Sequence, residues 1–382
     1  MTIHWCGIGL SAIPGLRRLI EAGHKVTVWN RTIGKAQEAV GDLTDDIRAF
    51  SLDDLAAVLQ PGDVAVSMLP GDWHVPLAEL CISKGAHFVS SSYIAPEMRA
   101  LDATARDAGV CLVNEVGLDP GIDHLMAHWL VADYRASGAY NATNDITFKS
   151  YCGGVPKIPN PFRYKFSWSP VGVLKALRSP SKSIRDYVSL DVARPWDAIS
   201  IYTAPLDQPE TFEVYPNRDS LPFMADYQFD KNWRVKEFVR GTLRLNGWAE
   251  AWKDVFSEIE TLSGPAGDAR LQEMSDQFWD ENSYDEGEPD RVIMCVELKA
   301  EKEGVPVYHK TYVMDAWGDE RGTAMARLVS VPVSLAVEAV LNRQIAAGVH
   351  AAPSDPKLIE RWMGEVDRLA QHLQVVDDCK SC

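Results

Sequence analysis

A carboxylate, a Pro-Gly pair and an Asp-His pair stand together in "NEVGLDPGIDH", Asn114 to His124. Asp119 lies between Leu118 and Pro120, after the apolar run Val110 to Val113 and before a helical pattern. Open α/β sheets bind ligands at such strand-to-helix junctions. A carboxylate there can accept from a substrate amine or move a proton. A second stretch, "GIGLSAIPG", spaces Gly7, Gly9 and Ala12 as G-x-G-x-x-A. Gly7 suits a tight turn, Gly9 lets backbone approach a pyrophosphate, and Ala12 allows close helix-strand packing. The pyrophosphate then rests on the positive end of the helix dipole. The next strand ends in "WNRT". NAD enzymes place an acid there for the ribose 2′-hydroxyl. Asn30 does not repel a 2′-phosphate, and Arg31 and Thr32 can donate to one, which favours NADP(H).

Arginines in polar turns are the other candidates: Arg163, Arg218 in "YPNRDS", and Arg240 and Arg244 in "VRGTLR". The guanidinium fork matches a carboxylate. In a chain of formal net charge −16, clustered arginine implies an acidic small ligand. That charge disfavours nucleic acid and anionic membranes. No run of 18 apolar residues suggests a transmembrane helix. The motif begins so near Met1 that no cleavable leader is expected. Seven scattered cysteines fit a reduced cytoplasm better than a disulfide framework. The terminal Cys379/Cys382 pair is a weak C-x-x-C signal at an end expected to be unstructured. No His/Cys/Asp cluster has metal-ligand spacing.

The elements around these residues follow a βα rhythm. Thr2 to Cys6 reads as a strand, then a helix with Leu16, Leu19 and Ile20 on one face, closed by Gly23, and then the strand "HKVTVWN". Alternation continues through "DVAVSMLP", "HVPLAELCISKG", "HFVSSSY", "PEMRALDATARDAG" and "VCLVNE", which implies a parallel doubly wound sheet. Its carboxyl-end rule places Leu69, Pro70, Ser91, Ser92, Tyr93 and residues 115–120 around a cofactor crevice. His74, after "LPGDW", faces the nicotinamide, caps a helix or stands in solvent. Asp119-Pro120 also reads as a helix N-cap with proline at the first helical position, before the stripe Ile122, Leu125, Met126, Trp129 and Leu130.

From Ala142 the rhythm changes. "DITFKSYCGG" reads as a strand ending in a Gly-Gly turn, and Trp196 to Tyr202, Thr211 to Tyr215 and "VRGTLRLNGW" as further strands. "RVIMCVELKAEKEGVPVYHKTYVM" reads as a hairpin turning near Glu303 and Gly304. Asp276 to Asp290 reads as an acidic surface linker, and "TAMARLVSVPVSLAVEAVLNRQI" as a long helix. The fold class is therefore α/β: a Rossmann-like doubly wound parallel sheet over residues 1–120, then a second mixed α/β domain over 121–325. C-terminal helices from about residue 325 to 382 are expected to pack back on the first.

"NEVGLDPGIDH", "SYCGG", "NPFRYKFSWSP", "VYPNRDS", "VRGTLR" and "EGEPDRV" resemble, in order, the saccharopine dehydrogenase family, in its NADP-dependent, L-glutamate-forming branch. The resemblance runs from about residue 3 to about 345. It implies a dimeric NADP-dependent oxidoreductase of lysine metabolism. Such an enzyme interconverts saccharopine with L-glutamate and 2-aminoadipate 6-semialdehyde by hydride transfer at a C–N bond. The resemblance places cofactor contacts on Gly7, Gly9, Leu10, Asn30, Arg31, Thr32, Ser91 and Leu118, Asp119 and Pro120. It places substrate contacts on Ser92, Tyr93, Asp119, Arg218 and Thr242 to Arg244, with Cys152 and Ser169 lining the same pocket. Two departures stand out. The chain between Thr261 and Gln277 is shorter than in fungal relatives, and Pro170-Val171 replaces the expected serine and basic residue. Arg218 and Arg244 suit a carboxylate clamp. For proton handling Asp119, Tyr93, His74, Cys152 and a bound water all remain open. Two other readings are an imine-reducing enzyme acting on a carboxylated polyamine, which needs fewer clamping arginines, and an NADPH-binding sensor without turnover.

Overall fold

The structure, a computed structural model, describes residues 1–379, so the Cys379/Cys382 pair lies partly outside the described residues. The chain divides into two compact units: 1–125 with 326–366, and 126–325 with 367–382.

The first unit holds the predicted parallel sheet. Its strands β1 (Ile3–Cys6), β2 (Val26–Asn30), β3 (Ile47–Ala49), β4 (Val64–Ser67), β5 (His87–Ser90) and β6 (Cys111–Val113) alternate with helices. A short strand, Gly348–His350, adds in parallel beside β6. The order is Gly348–His350, β6, β5, β4, β1, β2, β3. β1 is buried throughout, the near-continuous apolar reading expected of a sheet covered on both faces. The order reverses at β1 and β4, so the turns after these two strands border the crevice where such sheets bind ligands.

Helix packing in this unit uses a glycine that the fingerprint does not name. A Cβ on Gly15 would lie 1.9 Å from the carbonyl oxygen of Ser330. The Gly15 N–H donates to Ser330 Oγ at 2.8 Å, so the first turn of the helix Ile13–Glu21 finds a partner on the helix Ala324–Leu341. Propensity alone makes Gly15→Ala stabilising by about 0.5–1 kcal/mol. Overpacking opposes it with about 1–3 kcal/mol, and a backbone contact this short has no side chain to swing aside. Gly15→Ala is therefore expected to lower the denaturation midpoint; a raised midpoint would refute the close approach.

The helix Ala324–Leu341 is apolar enough and long enough to cross a membrane, but 83% of that window is buried in the protein. It reads as a core helix.

The second unit is built on a mixed nine-stranded sheet. Its strands are β7 (Asp145–Pro156), β8 (Ser181–Arg185), β9 (Val188–Val192), β10 (Ser200–Ala204), β11 (Glu210–Pro216), β12 (Arg234–Leu245), β13 (Asp290–Lys302) and β14 (Val305–Trp317), with a last strand His372–Asp377 beside β14. β7 lies between β12, parallel to it, and β13, antiparallel to it. The β13–β14 hairpin turns where expected: Glu303 and Gly304 both have positive φ, 53° and 80°, as a tight primed turn requires.

Four expectations are corrected. Gly153 and Gly154 continue β7 rather than turning; a Cβ on Gly153 would meet the Leu243 carbonyl at 2.2 Å, so glycine here permits close backbone approach. Trp196 to Tyr202 is not one strand, because a 3-10 turn (Pro195–Ala198) precedes β10. The acidic stretch from Asp276 is not a linker as far as Asn282. It completes a helix (Gly264–Asn282) that buries Leu271, Met274, Ser275 and Phe278 at helical spacing. Asp290 is fully buried, and its two carboxylate oxygens accept from Ala324 N at 2.7 Å and Met325 N at 2.9 Å. It caps the start of the Ala324–Leu341 helix from a distant strand. The fourth correction concerns Asp119 and belongs to the site.

Candidate functional site

The glycine turn has the form its spacing predicts. Gly7 has φ +102°, and a Cβ there would lie 2.6 Å from the Met68 carbonyl, so β1 and β4 leave no room for a side chain. Gly9 has nothing within 4 Å of its virtual Cβ. Leu10 is half exposed, and Ala12 is buried at the start of the helix, whose first turn carries no acid. Open space over Gly9, a helix N-terminus and no nearby carboxylate fit a dinucleotide pyrophosphate.

Asn30 does more than avoid repulsion. Its Oδ1 accepts from Ile8 N at 3.2 Å, and its Nδ2 donates to the Thr32 carbonyl at 2.8 Å. The amide thus ties the glycine turn to the end of β2. Arg31 and Thr32 are exposed beside it, and Thr32 begins the helix Ile33–Val40 without a side-chain cap. These residues fit a 2′-phosphate: two donors, and an amide where NAD enzymes carry an acid. Arg31→Asp is expected to lower the NADP/NAD preference by at least tenfold, on the order of 1.4 kcal/mol, read as the ratio of the two dissociation constants. An unaltered ratio would remove Arg31 from that role.

The loops after β5 and β6 are fastened to each other. Glu115 N donates to the Ser92 carbonyl at 3.1 Å, and Ile94 N donates to Glu115 Oε1 at 2.8 Å. A Cβ on Gly117 would lie 2.9 Å from Ser91 Cβ. Tyr93 Oη donates to Asp119 Oδ1 at 3.1 Å, so the structure brings together two predicted site residues. Behind them Glu115, Asp123 and His124 are buried. Glu115 Oε2 lies 3.0 Å from His124 Nε2, and Asp123 Oδ1 accepts from Gly121 N at 2.7 Å. This explains the acids and histidine of "NEVGLDPGIDH": they hold the loop that presents Asp119. Asp119 is not the expected helix N-cap. The Asp119-Pro120 peptide is cis, Gly121 has φ +148°, and the helix starts at Ile122, leaving the half-buried Asp119 side chain to pair with Tyr93. Leu118 and Pro120 are buried in the same loop.

His74 opens the helix His74–Lys84 and is buried. Its Nδ1 lies 2.8 Å from Ser67 Oγ at the end of β4, and its Nε2 lies 2.8 Å from Ser92 Oγ beyond β5. Burial pushes its pKa down to about 4. It is therefore a neutral imidazole at ordinary pH, unsuited to give up a proton as an acid.

In the second unit Arg244 is the prominent group. It is buried on β12, its guanidinium lying 4.8 Å from the Tyr164 ring centre, 5.5 Å from that of Trp248 and 5.7 Å from that of Tyr215. Nη1 donates to the adjoining Leu243 carbonyl at 3.3 Å, and Nε has no partner. The cross-strand acid Glu213 instead accepts from Gly247 N and Ala249 N at 2.8 and 2.7 Å. A buried cation among aromatic faces, with its Nε donor unpaired, has the chemistry to receive a carboxylate. Burial raises the Tyr215 phenol pKa, which Thr242 and Arg244 partly offset, so the tyrosine stays a neutral hydrogen-bonding neighbour of Arg244.

Thr242 is the register partner of the buried Cys152 on β7. Arg218, by contrast, is exposed in the turn after β11, with φ +57°. Ser169 is exposed and caps the helix Pro170–Leu177, accepting from Gly172 N; a capping duty accounts for it. What residue types alone miss is the aromatic cluster around Arg244, because Tyr164, Tyr215 and Trp248 come from separate elements. Among the described residues no group of three or more His, Cys, Asp or Glu side chains is arranged to hold a metal.

Comparison with known proteins agrees in both halves. Residues 5–113 match the saccharopine dehydrogenase NADP binding domain, and residues 117–369 match the saccharopine dehydrogenase C-terminal domain. Saccharopine dehydrogenase [NADP(+), L-glutamate-forming] of Pyricularia oryzae is 29% identical over 434 aligned residues, covering 94% of this chain and 95% of its own. Apo saccharopine dehydrogenase (L-Glu forming) from Saccharomyces cerevisiae superposes with a TM-score of 0.80 at 25% identity, covering 98% of this chain and 99% of its own. Homospermidine synthase from Legionella pneumophila superposes with a TM-score of 0.64 at 11% identity, covering 98% of this chain and 91% of its own, a likeness of fold.

Proposed function

The chain belongs to the saccharopine dehydrogenase family, and from that premise we propose that it interconverts saccharopine with L-glutamate and 2-aminoadipate 6-semialdehyde, using NADP(H). The observation that carries this reading is the match of both halves to one family, together with L-glutamate-forming relatives aligned over nearly their whole length. The likeness to homospermidine synthase is one of fold alone and favours no other substrate.

The chemistry asks for a hydride carrier, a grip on several carboxylates and a way to handle one proton. NADP(H), held by the Gly7–Ala12 turn and by Asn30, Arg31 and Thr32, supplies or accepts the hydride when bound. Leu10, Ser91, Leu118 and Pro120 complete that contact set by family likeness. Arg244 binds a substrate carboxylate, with Thr242 beside it and the exposed Arg218 as a second cation. Asp119, fixed by Tyr93, accepts from the substrate N–H, and its negative charge stabilises the cationic C=N that forms as hydride leaves the neutral amine. Tyr93 and Ser92 orient the substrate by hydrogen bonding. The proton transfer itself falls to Asp119, to Tyr93 or to water. Cys152, buried within the sheet, lines the pocket.

The test follows NADPH absorbance with the purified chain and three substrate sets: saccharopine, L-glutamate plus the semialdehyde, and a carboxylated polyamine. Turnover of the first two and not of the third is expected. Turnover of the polyamine alone, or of none, would overturn the reading.

A homodimer is part of the same proposal. Exposed Val188 on β9 and Ile201 on β10, 63% and 62% accessible, supply apolar surface on the second sheet that suits a partner copy. Light scattering should give twice the chain mass, and Ile201→Glu should lower it; a monomer in the parent protein would refute the dimer. Cys6, Cys81, Cys111 and Cys295 are free thiols, which suits a reducing compartment such as the cytoplasm.

A further inference from the structure

We propose that His74 is a positioning residue: its imidazole, held between the hydroxyls of Ser67 and Ser92, fixes whether Ser92 offers substrate a hydrogen-bond donor or an acceptor. The proposal rests on the reading above, in which Ser92 faces the substrate.

Three elements meet here. Ser67 ends β4, Ser92 follows β5, and His74 begins the helix after β4. The two hydroxyl contacts are equal, 2.8 Å each. The ring is further fixed by Phe88, whose edge packs against it with ring centres 6.4 Å apart and planes at 69°. Neither hydroxyl can leave without leaving a buried ring nitrogen unsatisfied.

A neutral imidazole has one N–H and one bare nitrogen, so the ring must treat its two partners oppositely. With the proton on Nδ1, Ser67 accepts, the Ser92 O–H is engaged by Nε2, and the Ser92 oxygen turns its lone pairs outward as an acceptor. With the proton on Nε2, Ser92 accepts from the ring and keeps its own O–H as a donor. An imidazolium would donate to both serines and lose this control. The burial that depresses the His74 pKa keeps the ring neutral, so the control persists across ordinary pH. Asp72 pulls in the opposite direction, and burial outweighs it. His74 thus acts through Ser92 and leaves the proton that the reaction exchanges to other groups.

The experiment uses full-length protein and compares His74→Phe, His74→Gln, Ser92→Ala and His74→Phe/Ser92→Ala. His74→Phe and Ser92→Ala are each expected to lower kcat by about 10- to 100-fold through misorientation, with the NADPH dissociation constant within about twofold of the parent. The double variant should be no slower than the slower single. His74→Gln, whose amide carries both a donor and an acceptor, should recover much of the rate and keep the acid limb of the pH profile in place. Multiplicative losses in the double variant, or an acid limb that moves in His74→Gln, would overturn the proposal. Nitrogen NMR of histidine-labelled protein tests it without any substrate. One protonated and one bare ring nitrogen from roughly pH 6 to 8, with the Nε2 signal displaced by Ser92→Ala, is expected; two protonated nitrogens at neutral pH would refute it. If the parent protein turned over no amine, the functional reading would fail, and the NMR result would still decide the role of His74.

Discussion

Arg244→Met is expected to lower kcat/KM for saccharopine while leaving the fold and NADPH binding nearly intact. Two opposing effects decide the stability side. Desolvating an ion costs several kcal/mol even after relaxation. Each cation–π contact returns about 0.5–2 kcal/mol, and Arg244 has three aromatic partners. The sum lies near zero, and methionine keeps an unbranched apolar chain among the same rings, so the melting temperature should barely move. Catalysis has no such compensation. Removing one partner of a desolvated charge pair costs about 2–5 kcal/mol, roughly thirty- to several-thousand-fold in kcat/KM. Most of that loss should appear as weaker saturation if the carboxylate is gripped equally in ground and transition states. Steady-state kinetics, NADPH titration and a melting curve on one preparation check all three parts. Unchanged kinetics with a strongly lowered melting temperature would make Arg244 an internal strut and remove the carboxylate receptor.

Much of this was legible in the sequence where a local rule and the global fold ask for the same residue. Gly7 is a glycine because φ is positive and Met68 is close, and its spacing to Gly9 announces that. Glu303-Gly304 turns the hairpin for an equally local reason. The βα rhythm was readable because each buried strand is mostly apolar, with single polar exceptions such as His4 and Ser67. What escaped depends on partners brought together by the fold. Gly15 looks like any helical glycine until Ser330 arrives from the other end of the chain. Asp290 looks like part of an acidic surface run until it caps a helix that starts at Ala324. The acids around Asp276 disguised a helix because they occupy its wet face while Leu271, Met274 and Phe278 occupy the dry one. In the site, residue type alone gave Arg218 and Arg244 the same reading, and nothing local distinguishes the buried arginine from the exposed one. Asp119-Pro120 shows a local rule overridden. The pair has the signature of a helix start, yet Glu115 and His124 hold the loop in another shape, and the helix begins two residues after Pro120, at Ile122.

Acid should destabilise the first unit through its buried imidazoles, His74 most of all. Burial holds the folded-state pKa of His74 down at about 4, against 6.5 for the free side chain. Between those values the unfolded chain binds the extra proton and the folded one does not, so stability rises with pH there. The contribution is fully present above about pH 6.5 and is lost as pH falls toward 4. A gap of about 2.5 units at 1.36 kcal/mol each gives a loss on the order of 3 kcal/mol. Burial depresses His4 and His87 in the same direction; at His4, Asp63 opposes it. The total slope therefore mixes several groups. The difference between the parent and His74→Gln isolates one of them, because the other groups titrate alike in both proteins. Denaturant unfolding of the pair at neutral pH and again near pH 4 should show that difference shrinking by about 3 kcal/mol. A difference that stays constant would mean that His74 titrates in the fold as it does in the unfolded chain, and a bridge that stays neutral into acid would have to be abandoned.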